Sequence, residues 1–292
     1  MKNLYELGEE ALENKDFKQA QKYLEQAYQE KRLFKTNYLL FKVLKAQQKH
    51  LEASQIADDY LMDYLKDDQK LAEYVSEMVY AGNVRKIETT LELMSSFMTD
   101  KEKEHFKKIF QESLADARKA NDVSSLKRQL GHLGALDILS QRKALEKSGV
   151  LTIAEFEKEA SKNLTDEYVH PLIRAAILDE LRNLGSTKQV DYLLFTGDTQ
   201  KFVPESLKEL DDYLMFQRLQ ELLTNDIDYS EDQKPDLLAE LKLKLQLLYP
   251  KLTAPFNDPQ QLYNVLLQKE NLTDNEKDFA KFIEQSLKQW NV

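Results

Sequence analysis

The sequence predicts a mainly α-helical protein made of paired antiparallel helices, with one small β-hairpin set into its second half. Three observations carry this. Only 7 Gly and 6 Pro occur in 292 residues, while 42% are hydrophobic and 32% charged, a balance that favours long helices with solvated faces and short connections. Apolar residues recur at spacings of three and four along most of the chain. One helical phrase also returns after a step of 33–34 residues: Phe17 to Leu51 is 34, and Ala20 to Ala53 is 33. An all-β fold needs more turn residues, and the even spread of Leu, Phe and Tyr argues against disorder.

The first helix begins at once, with Leu4, Leu7, Ala11 and Leu12 on one face, and Asn14-Lys-Asp16 breaks it. Phe17, Ala20, Tyr23, Leu24, Ala27 and Tyr28 mark a second helix, and two helices joined by so short a break form an antiparallel hairpin. Leu39, Leu40, Val43 and Leu44, the break Gln47-Gln-Lys-His50, and then Leu51, Ala53, Ile56, Ala57, Tyr60 and Leu61 repeat the phrase. A period of this size signals stacked helical hairpins.

Leu7-Gly8, Asp16-Phe17, Ala20, Leu24 and Ala27 make the first unit resemble the tetratricopeptide repeat. The resemblance covers residues 1–65, and a degraded third unit runs from Leu71 to Met94 with Gly82-Asn83 at its turn. Leu4 and Ala11 stand where larger aromatics are usual, and the first unit lacks a closing Pro. The resemblance implies an α-α superhelix in which Gly8, Ala20 and Ala27 sit where paired helices approach closely. It also implies a concave groove, lined by the first helix of each hairpin, that holds an extended peptide. The first unit then presents Tyr5, Glu9 and Leu12, with Glu13; the second presents Leu39, Val43 and Ala46, with Lys42 and Lys45 nearby. Tyr5 and Glu9 stand where chaperone adaptors place a carboxylate-clamping Lys and Asn, so a chaperone-tail receptor is disfavoured. The competing reading is that Leu39 and Val43 simply pack against the next hairpin.

Beyond Phe97 the helices lengthen. Thr99-Asp-Lys-Glu102, Thr152-Ile-Ala-Glu155 and Thr273-Asp-Asn-Glu276 are capping boxes. The first opens a helix towards Ala120. A helix from Val123 to Ser148 carries Gly131 and Gly134 as a bend or close contact. Thr165 to Leu184, with Pro171 in its first turn, places Leu172, Ile173, Ala176, Ile177 and Leu181 on one face, and its Arg174-Ala-Ala-Ile177 resembles a HEAT-type repeat helix. Residues 190–195 and 200–203 read as strands around Thr196-Gly-Asp-Thr199, a pair that needs a helical surface to pack on. Helices resume over 206–223, 235–249, 259–268 and from Thr273 onward, with Leu252 to Pro259 as a linker. Val169-His-Pro171, Ile177-Leu-Asp-Glu-Leu181, Gly185, the hairpin and Val203-Pro204 together are similar to uncharacterised tetratricopeptide-repeat proteins of Gram-positive bacteria. The expected division is a repeat region over 1–120 and a helical domain over 121–292, whose β-hairpin lies near 190–203.

Chemistry is sparse. With no Cys, thiol nucleophiles, disulfides and thiolate metal sites are excluded. The four His residues lack the i, i+4 spacing of a helical zinc pair. His50 falls in a turn and His105 near a helix start, where solvated side chains are ordinary; for His132, between two glycines, and His170, before Pro171, a structural role is expected ahead of a catalytic one. Adjacent carboxylates (Glu9-Glu10, Asp58-Asp59, Asp67-Asp68, Asp211-Asp212) project about 100° apart on a helix, so they read as solvated faces. No phosphate loop and no nucleophile elbow is present. A balance of 41 basic and 51 acidic residues gives −10, which disfavours nucleic acid as a partner. No apolar run approaches a membrane span and the N-terminus has no signal-peptide core; the expectation is a soluble, cytoplasmic protein. Trp290 either tacks the last helix onto the body or joins a dimer contact.

The sequence therefore points to a non-catalytic interaction scaffold without cofactor or metal, binding a protein or peptide of unknown identity through Tyr5, Glu9, Leu12, Leu39, Lys42 and Lys45. The alternatives are an enzyme with an unsignposted site in the C-terminal domain, near His132 or His170, and a peptide-sensing regulator. A pocket holding one of those histidines beside a carboxylate would favour the enzyme.

Overall fold

A computed structural model describes residues 3–119, 122–269 and 271–290, the side chain of residue 117 excepted. It is mainly α-helical, with one two-stranded antiparallel hairpin among the described residues. The chain falls into two compact units, residues 1–124 with 147–152, and residues 125–146 with 153–292.

In the first unit, α1 (Leu4–Glu13) packs antiparallel to α2 (Phe17–Glu30), and α3 (Phe34–Ala46) to α4 (His50–Asp58). A single turn, α5 (Leu61–Tyr64), leads to α6 (Asp68–Tyr80), α7 (Val84–Met94) and α8 (Asp100–Lys119). Side chains fix where the helices begin. Asn3 and Glu6 form a capping box at α1 that the sequence pattern did not single out, Asp16 caps α2, and Asp67 caps α6. At α8, Thr99 N donates to Glu102 Oε2 at 2.8 Å and Glu102 N to Thr99 Oγ1 at 3.3 Å, completing the expected box.

Small residues sit at the helix contacts. Ala20 is fully buried and Ala27 half-buried. A Cβ on the buried Gly8 would lie 2.6 Å from Leu24 Cγ, so α1 and α2 meet at a distance that only glycine permits. Behind them stands an aromatic cluster. The ring of Tyr64 lies 5.4 Å from Phe34, 5.4 Å from Phe41 and 5.9 Å from Tyr74. Asn37, fully buried among these rings, donates to Ile56 O at 2.6 Å and accepts from Tyr64 Oη at 3.1 Å. Asp58 and Asp59, expected on a solvated face, each hold a buried tyrosine instead: Tyr74 Oη donates to Asp58 at 2.9 Å, and Tyr28 Oη to Asp59 at 2.8 Å. They point apart, as adjacent helical residues must.

The helix expected from Val123 to Ser148, with a bend or close contact at Gly131 and Gly134, is fully interrupted there into two helices, α9 (Val123–Leu130) and α10 (Ile138–Lys147), around a 3-10 turn at Leu133–Ala135. The break has a polar cause. Asn163, 1% exposed, donates to Leu130 O at 2.6 Å and accepts from Leu133 N at 3.0 Å, so one side chain satisfies both broken ends. Next come α11 (Ile153–Ala160) and α12 (Pro171–Asn183). The latter starts at Pro171 and not at Thr165, because His170 is its N-cap and Pro its first helical residue.

Strands β1 (Val190–Leu193) and β2 (Thr199–Phe202) pair with Val190 opposite Phe202 and Leu193 opposite Thr199. The buried Tyr192 packs edge-on to Phe202, and Leu193 N donates to Leu164 O at 2.9 Å. Short 3-10 turns at Pro204–Ser206 and Leu210–Asp212 replace the expected start of a helix at 206. The remaining helices are α13 (Leu214–Asn225), α14 (Lys234–Gln246), α15 (Pro259–Leu266) and α16 (Asp274–Trp290). Phe279 and Phe282 of α16 pack on Phe195 at the hairpin tip, which supplies the helical support that a lone hairpin lacks.

Candidate docking surface

Helix α3 carries Lys35, Tyr38, Lys42 and Lys45 at steps of three, four and three, which places them in one row along one side. Its apolar residues Leu40, Phe41, Val43 and Leu44 are buried on other sides, so the row is held at the surface by the packing beneath it. The row meets α1 at one end, where Lys35 Nζ lies 4.4 Å from the centre of the Tyr5 ring. On its other flank it meets α6: Tyr38 Oη donates to Glu73 Oε2 at 3.0 Å, and Lys70 Nζ lies 5.3 Å from the Tyr38 ring. Lys42 Nζ lies 4.6 Å from the same ring. Each lysine–tyrosine contact is a cation held against an aromatic quadrupole.

The charges set the chemistry. Lys70 is paired with Asp67 at 2.8 Å. Among the described residues, Lys35, Lys42 and Lys45 have no carboxylate within ion-pair distance, in a chain of net charge −10. Burial, followed by the bond to Glu73, pushes the Tyr38 hydroxyl up to about 12, and burial, followed by the charge of Glu9, raises Tyr5. Both phenols therefore stay protonated at neutral pH. The surface offers ammonium groups, ring faces and phenol hydroxyls, a set suited to carboxylates and carbonyls.

Of the residues expected to bind a partner, Tyr5, Leu12, Leu39, Lys42 and Lys45 are half-buried and Glu9 is exposed. Tyr5, Leu12 and Leu39 also pack on the core, so they serve stability as well as surface. Val43, expected beside them, is fully buried, because it lies on the stripe with Leu40 and Leu44. Lys35, Tyr38, Lys70 and Glu73 complete the surface. The spacing of Lys35, Tyr38, Lys42 and Lys45 is their signal in the sequence, whereas nothing local foretells the pairing of Tyr38 with α6.

Among the histidines, His50 departs from the expectation. His50 is the first residue of α4 and half-buried, with Nδ1 2.6 Å from Oε2 of Glu77, which is itself 1% exposed, and its ring 5.1 Å from Tyr80. It is thus the partner of a buried carboxylate and not a solvated turn residue. His105 is exposed beside Asp68, at 2.9 Å, and His132 is exposed. His170 is buried: Nε2 donates to Ser286 O at 2.9 Å, Nδ1 accepts from Leu172 N at 3.2 Å, and the ring lies 5.3 Å from Trp290. Both nitrogens are spent on backbone. Trp290, covered also by the Arg142 guanidinium at 4.9 Å, tacks α16 onto this unit.

The second unit contains a cavity of about 310 Å³ between α12, the turn at 209–211 and α14. Leu172, Ala175 and Ala176 form its floor, and Asp179, Glu180, Glu209 and Asp211 are among its lining. Neither His132 nor His170 lines it. No group of three or more His, Asp or Glu suited to a metal ion occurs among the described residues, and no helix there is long and apolar enough to cross a membrane. No family model, curated protein or solved structure matches this chain.

Proposed function

We propose that this chain is a non-catalytic interaction scaffold of tetratricopeptide-like hairpins that holds a peptide or partner protein on the face shared by α1, α3 and α6. The observation that carries this reading is the row Lys35, Tyr38, Lys42 and Lys45, whose three ammonium groups have no carboxylate partner among the described residues, two of them lying against half-exposed rings. Tyrosine is favoured in recognition because its ring is rigid and its hydroxyl adaptable. The reading goes with a cytoplasmic setting, where a chain without Cys forgoes nothing. Its test compares capture of lysate proteins by the wild-type chain and by the Lys42→Glu/Lys45→Glu variant, with helicity checked by circular dichroism. A partner held by the wild type and lost at least ten-fold by the variant supports the surface. Partners retained equally by both exclude it.

A second reading, an enzyme acting in the second unit, draws on the 310 Å³ cavity and its Asp211–Lys242 pair at 2.7 Å. Under it, turnover of a small substrate is abolished by Asp211→Asn, while a docking protein shows none to lose. The sensing variant of the first reading, a peptide-responsive regulator, adds an effector element that the docked peptide switches.

A further inference from the structure

Two residues on from Tyr38 and Lys42, about 200° round α3, Leu40 and Leu44 face the other way and floor a groove between α2 and α4. The groove has a volume of about 420 Å³, and Tyr28 and Ile56 complete its apolar part. Its walls are Gln21, Glu25 and Gln29 from α2 and Glu52, Gln55 and Asp59 from α4. No lysine or arginine lines it. Glu52 has no hydrogen-bond or ion-pair partner among the described residues, and Glu25 accepts only from Gln21, at 2.6 Å. Asp59 takes the Tyr28 hydroxyl at 2.8 Å.

The rim shows which head group suits these walls. Arg32, just past α2, lays its guanidinium 5.7 Å from the centre of the Tyr28 ring and 3.9 Å from Asp59. At the other end Lys49 is held by Gln21, at 2.9 Å. Between them, Glu25 and Glu52 have no cation partner among the described residues. We propose that this groove is a docking site for an extended arginine-bearing segment of a partner protein. Aliphatic stems lie over Leu40, Leu44 and Ile56, and guanidinium groups reach Glu25 and Glu52 in the way Arg32 reaches Asp59. From Gln21 to Gln29, α2 advances about 12 Å, the span of about four residues of extended chain. Arginines at alternate positions of such a segment project to the same side and can both enter. The occupant is chosen by charge complementarity, since an acidic segment would meet only carboxylates and amides.

This site lies apart from the face assigned to the scaffold function, and the two fail separately. The test is fluorescence anisotropy with a short labelled peptide alternating arginine and leucine, beside a copy with glutamate in place of arginine, on the full chain. The expected result is binding of the arginine peptide alone, weakened about ten-fold by Glu25→Gln/Glu52→Gln and unchanged by Lys42→Glu/Lys45→Glu. Glu104→Gln/Glu112→Gln on α8 changes the net charge equally and leaves affinity intact. Equal weakening by both glutamine pairs would mean general attraction to an acidic chain and overturns the site. So does the absence of arginine-peptide binding, or equal binding of the glutamate peptide.

Discussion

His170 shows how much one side chain fixes. Its Nε2 donates to Ser286 O and its Nδ1 accepts from Leu172 N, so the neutral ring satisfies two backbone groups, and a second proton would face an N–H that needs an acceptor. Burial, with Arg174 adding to it, lowers its pKa below the usual 6.5 against the opposing bond to Ser286. The sign follows. On acidification the unfolded chain takes up the proton first, so this contribution to stability is complete above about pH 6.5 and falls as pH drops towards the folded-state value. Urea midpoints between pH 8 and 5 should therefore decline on the acid side, and His170→Asn, which can keep the cap, should flatten that decline. A variant with the wild-type slope would remove His170 as its source. Gly8 makes a steric prediction. Gly8→Ala places a methyl 2.6 Å from the Cγ of the fully buried Leu24, and should cost about 1–3 kcal/mol in chemical denaturation.

Among the elements, the interruption between α9 and α10 depends on Asn163. Asn163→Leu leaves Leu130 O and Leu133 N buried without partners, at about 1–3 kcal/mol for each. Thermal unfolding monitored by circular dichroism measures it, and a near-neutral result would mean that the surrounding turn caps itself. How far the elements were legible follows from the range of their causes. The hairpins of residues 4–58 could be read from apolar spacing, and the boxes at Thr99 and Thr273 from residues three apart, because those causes are local. At 131–137 the two glycines point to a bend or close contact but not to a full break, whose cap comes from Asn163, about thirty positions on. The start of α12 has a local signal in Pro171, a preferred first helical residue, which the apolar spacing masks because Tyr168 and Val169 extend it backwards. On the docking face the row of α3 was written in its spacing. Its closure by Tyr5, Lys70 and Glu73 depends on how helices stack.

For the molecule as a whole, the division into units does not follow the chain. Residues 147–152 belong to the first unit although residues 125–146 belong to the second. The return is tight: Arg85 Nη1 donates to Ser148 O at 2.6 Å, and a Cβ on Gly149 would fall 2.0 Å from the carbonyl oxygen of Gly82. Leu151, fully buried, belongs to the same segment. A fragment ending at residue 124 should hence be less stable than one ending at residue 152. Removing Leu151 alone accounts for about 2–5 kcal/mol on the scale of buried Leu→Ala changes. Equal urea midpoints for the two fragments would show that the returning segment is dispensable.

That return imposes an order on synthesis. As the nascent chain emerges, the early hairpins can pair as soon as each is made, since their contacts are near neighbours. The bed prepared by Gly82 and Arg85 stays empty until Ser148 and Gly149 arrive. The chain must by then have made α9 and all of α10, helices whose own partner Asn163 is still untranslated. The first unit waits on residues 147–152 and the second on Asn163, and a ribosome stalled between residues 124 and 147 would hold two incomplete bodies at once.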